Sequence, residues 1–241
     1  MAEGSRSFPG YELRVIPPLH IITDDAILGR PNFLGVAREL LRAGGDRVAL
    51  HLRGPGRNGR TLFRVAEALV QEATEAGAVL VVNDRLDVAL SLGLKSVHLG
   101  QRSLPPDVAR RLLGPNPTLG LSVHGTREAS EASKGVVDYV VVGAVYPTPS
   151  HPGVEAGGVA LIEEVGALDP PPMVGIGGIT PAKVKATLEA GAVGVAVRGG
   201  IWETSDPIEA LGHYLMVLAE SPSGSSPTLG GKARKRLPGT Q

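Results

Sequence analysis

Residues 173–199 have the sequence MVGIGGITPAKVKATLEAGAVGVAVRG, which contains a complete strand–helix–strand unit. A short apolar run, Met173–Ile176, is followed by two glycines and then by Thr180-Pro181, a pair typical of the start of a helix. Gly191 is placed to end that helix, and a second apolar run, Gly194–Val197, follows it. Continuous apolar runs are typical of parallel strands covered by helices. The stretch therefore predicts a βαβ unit of a parallel sheet.

The same alternation extends outward over the rest of the chain. The other candidate strands are Leu19–Ile22, Arg47–Leu52, Ala78–Val82, Ser96–Leu99, Thr118–Ser122 and Tyr139–Gly143. Amphipathic segments that predict helices lie near residues 33–43, 61–76, 86–92, 105–113, 126–134, 158–167, 181–190 and 206–219. The first strand is followed by Thr23-Asp24-Asp25 and lacks the glycine-rich turn of a doubly wound dinucleotide fold. Eight βα units predict an α/β fold, a single (β/α)8 TIM barrel.

Composition sets the domain plan and excludes several classes of function. We expect an N-terminal extension over residues 1–17, the barrel over 18–219 and a disordered basic tail over 220–241. The absence of cysteine excludes thiolate chemistry, and 24 basic residues balance 24 acidic ones. This balance disfavours nucleic acid or a membrane as a partner, and no apolar run reaches transmembrane length. A cytoplasmic protein is predicted, and a homo-oligomer stays open.

Polar residues follow the predicted strands, at the face where barrels place their sites. His124 is the strongest acid–base candidate, because histidine titrates near neutral pH and Ser122 lies two residues before it. Its alternative is a structural hydrogen-bonding role, which we also favour for His98. Asn83-Asp84 suits a substrate or a divalent cation, although Asp84 could instead pair with Arg85. No histidine or cysteine spacing indicates zinc.

Glycine-rich turns after the last two strands predict a phosphate site. Glycines let a backbone approach a ligand closely, and amides at a helix start favour an anion. The alternative is that these glycines only turn the chain, and Arg198 could equally point to solvent. The predicted phosphate-binding residues are Gly177, Gly178, Arg198 and Gly199.

Over residues 18–218 the chain resembles the thiamine phosphate synthase/TenI superfamily. The resemblance rests on short motifs in a specific order, which are residues 21–24 (IITD), 51–53 (HLR), 82–85 (VNDR), 97–101 (VHLGQ), 120–124 (GLSVH), 138–139 (DY), 175–179 (GIGGI) and 194–197 (GVAV). It implies a barrel that binds a thiazole phosphate at the loops after strands 6 to 8. The superfamily includes a synthase, which joins a pyrimidine diphosphate to a thiazole phosphate and needs magnesium. It also includes a tautomerase, which aromatises a carboxythiazole phosphate without metal.

Three departures bear on the choice between these activities. The synthase motif Gln-Leu-Arg-x-Lys is His51-Leu52-Arg53-Gly54-Pro55 here, so a lysine is missing and His51 replaces a glutamine that contacts diphosphate. The synthase motif His-x-Gly-Gln-x-Asp has Ser103 at its last position here, so one carboxylate is missing. The synthase motif Thr-x-Thr-Lys is Thr148-Pro149-Ser150-His151 here, so a second lysine is missing. A diphosphate leaving group needs its charge neutralised. The losses therefore favour the tautomerase.

The resemblance then implies the following roles. His124 would carry the proton, Arg53, Asn83, Ser122, Thr148 and Ser150 would bind the substrate, and Gly177, Gly178, Arg198 and Gly199 would bind its phosphate. The small phosphorylated thiazole is the only partner implied. No cofactor is expected, and Mg²⁺, held by Asp84, is expected only under the synthase alternative. A third alternative is a non-catalytic regulatory barrel that binds a phosphorylated ligand.

Overall fold

A computed structural model describes residues 16–132, 135–149, 153 and 155–221. The expected N-terminal extension is described only at residues 16 and 17, and the expected basic tail only at residues 220 and 221. None of the described helices is long and apolar enough to cross a membrane.

Eight parallel strands pair in sequence order, and β8 pairs with β1 to close the barrel. The strands are β1 (Leu19–Ile22), β2 (Val48–Leu52), β3 (Val79–Asn83), β4 (Ser96–Leu99), β5 (Thr118–Val123), β6 (Tyr139–Val142), β7 (Met173–Ile176) and β8 (Gly194–Val197). The prediction of a (β/α)8 barrel is confirmed. The predicted strand bounds differ from these by at most one residue at each end. Arg47, for example, ends a 3₁₀ turn (Gly45–Arg47) just before β2.

Helices cover the outside of the barrel. They are α1 (Asp25–Leu28), α2 (Phe33–Gly44), α3 (Gly59–Ala76), α4 (Leu86–Ser91), α5 (Pro106–Leu113), α6 (Thr126–Ala132), α7 (Ala160–Gly166), α8 (Pro181–Glu189), α9 (Gly199–Trp202) and α10 (Pro207–Glu220). The two short helices α1 and α9, which the pattern did not predict, follow β1 and β8. They add backbone to the carboxyl-end face of the barrel.

The core has two parts. Alternate strand residues pack outward against the helices in one large apolar cluster. A smaller cluster that includes Ile22, Tyr139, Val141, Val174 and Ala196 fills part of the barrel interior. This interior cluster draws mainly on β1, β6, β7 and β8. The inward positions of β2 to β5 are largely polar, and they lead up to the carboxyl ends of the strands.

Candidate active site

The end of β1 is tied to the end of β2. Thr23, directly after β1, donates its hydroxyl towards the backbone oxygens of His51 (2.9 Å) and Arg53 (3.0 Å). The Arg53 backbone nitrogen donates back to the Thr23 hydroxyl oxygen at 2.9 Å. Thr23 is fully buried, so this joint is rigid. It holds Arg53 at the carboxyl end of the barrel.

The Arg53 guanidinium makes no hydrogen bond or ion pair with any residue that the structure describes. Its positive charge nevertheless acts on the barrel interior. The pKa of His98 is lowered to about 3, mainly by burial and further by His20 and by the charge of Arg53. Arg53 is therefore a cation near the barrel interior that is available to an anionic ligand.

Asp84 lies on the loop directly after β3 and has a left-handed backbone, with φ of 64°. Its Oδ1 accepts a hydrogen bond from the Gly100 backbone nitrogen at 3.0 Å and another from the Ser103 hydroxyl. Arg85, the alternative partner, pairs with Asp87 instead. The exposed Asp84 carboxylate and the Ser103 hydroxyl therefore offer two oxygen donors at one point.

Ser122, on β5, is held from inside the barrel by His98, which also contacts Tyr139. His98 Nε2 lies 2.9 Å from the Ser122 hydroxyl, and His98 Nδ1 lies 3.2 Å from the Tyr139 hydroxyl. Burial raises the pKa of Tyr139, so the phenol keeps its proton and can donate it to Nδ1. With Tyr139 as the donor, a neutral His98 has its proton on Nε2 and donates to Ser122. The hydroxyl hydrogen of Ser122 is thus available to a ligand.

Asn83 ends β3, and its side chain is anchored from below by His51. His51 Nδ1 lies 3.1 Å from Asn83 Oδ1. His51 itself is completely buried, so it reaches no ligand at the mouth. The direct diphosphate contact that the resemblance attaches to this position is therefore not made by His51.

The loop after β7 has a backbone conformation that depends on its two glycines. Gly177 and Gly178 have φ of 104° and 58°, in the region that favours glycine. A Cβ atom at Gly178 would lie 2.3 Å from the Pro147 backbone oxygen, because the loop after β6 crosses there. Lys183, in α8, donates to the Gly178 oxygen at 3.1 Å and places its ammonium 4.4 Å from the Tyr146 ring centroid.

Arg198 follows β8, but its guanidinium is already engaged by two carboxylates. It pairs with Asp24 and with Glu203, the latter at 2.6 Å. Gly199 begins α9 directly after it. A phosphate at this loop would have to compete with both carboxylates for the Arg198 guanidinium.

His124 lies on the outer rim of the site. Its side chain is 56% exposed, and Nδ1 lies 3.1 Å from Glu128 Oε2 in α6. The backbone nitrogen of His124 donates to the same oxygen at 2.8 Å. Gln101, from the loop after β4, donates to the Ser122 backbone oxygen and to Glu128, which joins the two loops.

The remaining predicted ligands lie after β6. Thr148 is half-buried on this loop, and the predicted residue Ser150 lies outside the described residues. The structure thus brings Arg53, Asn83, Asp84 and Ser122 together at the carboxyl ends of β2, β3 and β5. The pattern of the sequence did not reveal the polar interior beneath them, although His20, His51 and His98 sit on the inward-facing register of β1, β2 and β4.

A closed barrel with convergent polar groups at the carboxyl ends of its strands defines a (β/α)8 protein whose functional site lies at that face. The chain belongs to the TMP-TENI family, described as thiamine monophosphate synthase, and the family profile matches residues 19–201.

Individual relatives agree with this membership. A thiamine-phosphate synthase of Roseiflexus castenholzii is 39% identical over 191 residues, which are 78% of this chain and 82% of that protein. A thiamine-phosphate synthase of Desulfitobacterium hafniense is 37% identical over 80% of this chain and 92% of its own length. The solved thiamine phosphate pyrophosphorylase of Pyrococcus furiosus is 28% identical, with a TM-score of 0.73, and the match covers 85% of this chain and 96% of that one.

These relatives overturn the tautomerase prediction. Proteins 34–39% identical over most of the chain are named thiamine-phosphate synthases, so both the predicted activity and the predicted isomerase class are wrong. The inference failed because it counted missing charges motif by motif. The sequence did not show that the Ser103 hydroxyl donates to Asp84, or that the Arg53 guanidinium has no hydrogen bond or ion pair among the residues the structure describes. The proton-shuttle role of His124 was implied only by the tautomerase activity, so it is not proposed for this chain.

Proposed function

We propose that this chain is a thiamine-phosphate synthase, which joins a pyrimidine diphosphate to a thiazole phosphate and releases diphosphate. The observation that carries the proposal is 34–39% identity to proteins of that name, over nearly the whole barrel. In such a transfer the bond from the pyrimidine portion to the diphosphate oxygen breaks, and its electron pair leaves with the diphosphate. The thiazole supplies the electron pair of the new bond. Both substrates are small phosphorylated molecules.

The groups at the ends of β2 to β5 suit the diphosphate. Arg53 contributes a guanidinium that pairs with none of the described residues, and Ser122 contributes a hydroxyl donor that His98 orients from below. Asn83 contributes an amide beside them. Donors aimed at the place where negative charge develops are the main source of rate enhancement in such a step. We therefore assign these three residues to the leaving diphosphate.

The oxygen donors at Asp84 fit a magnesium ion. Mg²⁺ commonly takes one or two carboxylates and completes its shell with water and substrate phosphates. Within the described part of the chain, no group of three or more His, Cys, Asp or Glu residues could hold a metal alone. Asp84, with the Ser103 hydroxyl beside it, would hold Mg²⁺ together with the diphosphate. The ion would supply positive charge to the leaving group.

The missing lysines make this charge more important. Pro55 and His151 stand at the two positions where the resemblance implies lysine. With fewer fixed cations, neutralisation of the diphosphate rests on Arg53 and on Mg²⁺. The thiazole phosphate is assigned to the Gly177-Gly178 loop, whose left-handed glycines lead into the start of α8, where backbone amides favour an anion. Thr148 and Ser150 are proposed to border the thiazole ring, and Gly199 to border its phosphate.

A direct assay tests the proposed function. The purified protein is supplied with the pyrimidine diphosphate, the thiazole phosphate and Mg²⁺, and thiamine phosphate is measured by chromatography. We expect product with Mg²⁺, none with excess EDTA, and recovery when Mg²⁺ is restored. Absence of product from fresh, folded protein with all three components would refute the proposal. Product formation unaffected by EDTA would refute the metal role.

Gly178→Ala is expected to raise the KM for the thiazole phosphate at least tenfold, which corresponds to about 1.4 kcal/mol. The new Cβ would meet the Pro147 backbone oxygen at 2.3 Å, so the loop must move away from its ligand-binding position. Steady-state kinetics with the pyrimidine diphosphate held saturating measures the effect.

Gly93→Ala is the matched control. Gly93 also has a left-handed φ, of 62°, but lies between α4 and β4 at the opposite face, and a Cβ there meets nothing within 4 Å. It carries a similar backbone penalty without touching the site. Equal KM values for the two variants would remove the β7 loop from the thiazole phosphate site.

A further inference from the structure

Two buried histidines form a hydrogen-bonded pair beneath the site. His20, on β1, and His51, on β2, are 1% and 0% exposed. His20 Nδ1 lies 2.8 Å from His51 Nε2, and His51 Nδ1 lies 3.1 Å from Asn83 Oδ1. The three side chains thus form one chain of hydrogen bonds that begins inside the barrel and ends at a residue assigned to the diphosphate.

Elementary hydrogen-bond chemistry gives this chain a direction. The Asn83 oxygen can only accept, so His51 Nδ1 must carry the proton of that bond. Burial lowers the pKa of His51 well below its usual value, and neighbouring His20 and His98 lower it further, so His51 is neutral. Its Nε2 is then bare and accepts from the Nδ1 proton of His20. Burial lowers the pKa of His20 to about 4, so His20 too is neutral and its Nε2 is bare.

The orientation of the Asn83 amide, with Oδ1 towards His51, also sets which of its groups faces the ligand. With Oδ1 held by His51, the NH₂ group is on the other side of the amide. This nitrogen makes no hydrogen bond to any residue that the structure describes. We propose that His20 and His51 are positioning residues that hold the Asn83 amide with its NH₂ group as a donor to the diphosphate. The inference rests on the proposed function, because it concerns the same ligand.

The inner end of the chain supplies a second, independent feature. His20 Nε2 is buried and has no hydrogen-bond partner among the described residues. It borders a cavity of about 30 Å³ that is also lined by the hydroxyl-bearing residues Ser96, Thr118 and Tyr139. The Pro17 backbone oxygen lies near the ring and acts to raise the pKa of His20, but it is outside hydrogen-bonding geometry with Nε2. The cavity has room for one water molecule, and its hydroxyl groups can hold it. A water that donates to Nε2 would complete the chain.

Steady-state kinetics separates positioning from a merely structural role. His51→Leu removes both hydrogen bonds, and we expect the KM for the pyrimidine diphosphate to rise about tenfold. The KM for the thiazole phosphate should stay within twofold, since that ligand is assigned to the β7 loop. His51→Gln can donate to Asn83 from its amide nitrogen and accept from His20 at its amide oxygen, so it should stay within threefold of the wild type.

A double-mutant cycle with Asn83→Ala completes the kinetic test. If His51 acts through Asn83, the double variant should be no worse than Asn83→Ala alone. Fully additive losses, or equal changes in both KM values, would overturn the inference. Wild-type protein that forms no thiamine phosphate would refute the proposed function itself, and this inference with it. The two failures are therefore distinguishable.

Nuclear magnetic resonance of wild-type protein labelled with ¹⁵N on histidine tests the direction without any variant. We expect both His20 and His51 as neutral tautomers protonated on Nδ1 at pH 7. Protonation of either ring on Nε2 would reverse the chain, turn the Asn83 oxygen towards the ligand and overturn the inference. A separate spectrum of His51→Leu shows whether that variant keeps the fold.

Discussion

Replacing Asp84 with asparagine is expected to lower kcat/KM for the pyrimidine diphosphate about a thousandfold, or about 4 kcal/mol. The change removes the Asp84 carboxylate, which under the proposed function would hold Mg²⁺ and bring positive charge to the leaving diphosphate. Asparagine has nearly the same shape and tolerates the left-handed backbone of this position, which has φ of 64°. Its amide oxygen can still accept from Gly100 and Ser103. The backbone should therefore stay in place while the charge is lost.

Asp87→Asn is the matched control for this variant. Asp87 is an exposed carboxylate three residues further on, and it pairs with Arg85 away from Ser103. Its removal should change kcat/KM less than twofold. Ser103→Asp is expected to bind Mg²⁺ more tightly than the wild type. A second carboxylate beside Asp84 should lower the Mg²⁺ concentration for half-maximal activity about tenfold. If Asp84→Asn has the same kcat/KM as the wild type at low Mg²⁺, the metal binds elsewhere.

Gly120→Ala is expected to destabilise the barrel by about 3 kcal/mol and to lower Tm by about 6–12 °C. Gly120 is buried on β5, where a Cβ atom would lie 2.2 Å from the Tyr139 ring and 2.5 Å from His98 Nδ1. Both rings are enclosed by the barrel and cannot swing away. The substitution should also displace His98 from Ser122, so kcat/KM should fall at least tenfold in the folded fraction.

Gly35→Ala is the control for the added methyl group. Gly35 lies within α2, and a Cβ atom there meets nothing within 4 Å. Alanine favours a helix over glycine, so this variant should be unchanged or more stable by up to about 1 kcal/mol. Thermal unfolding followed by circular dichroism measures both variants. A Gly120→Ala protein that melts with the wild type would show that Tyr139 and His98 do not pack across this glycine.

The sequence by itself determined the fold and the face that holds the site. Apolar runs such as Met173–Ile176 report burial on both faces, and the punctuation by Gly191 and Thr180-Pro181 reports where helices end and begin. These are local properties of the chain, so eight strands and the order of their polar ends could be predicted. The positions of Arg53, Asn83, Asp84 and Ser122 near the strand ends were predicted in this way, and their roles in binding stay predictions.

Only the tertiary structure decided what those residues touch. Arg198 is held by two carboxylates, and Asp84 and Ser103 meet although 19 positions separate them. The structure also shows the buried histidine His51 beneath Asn83. The tautomerase prediction failed at this level, since a missing lysine is visible in the sequence but the surrounding charges are not. Apolar periodicity is a property of neighbouring residues, so it can be recognised in the sequence. Hydrogen bonds and ion pairs inside a barrel join strands that come together only when the barrel closes.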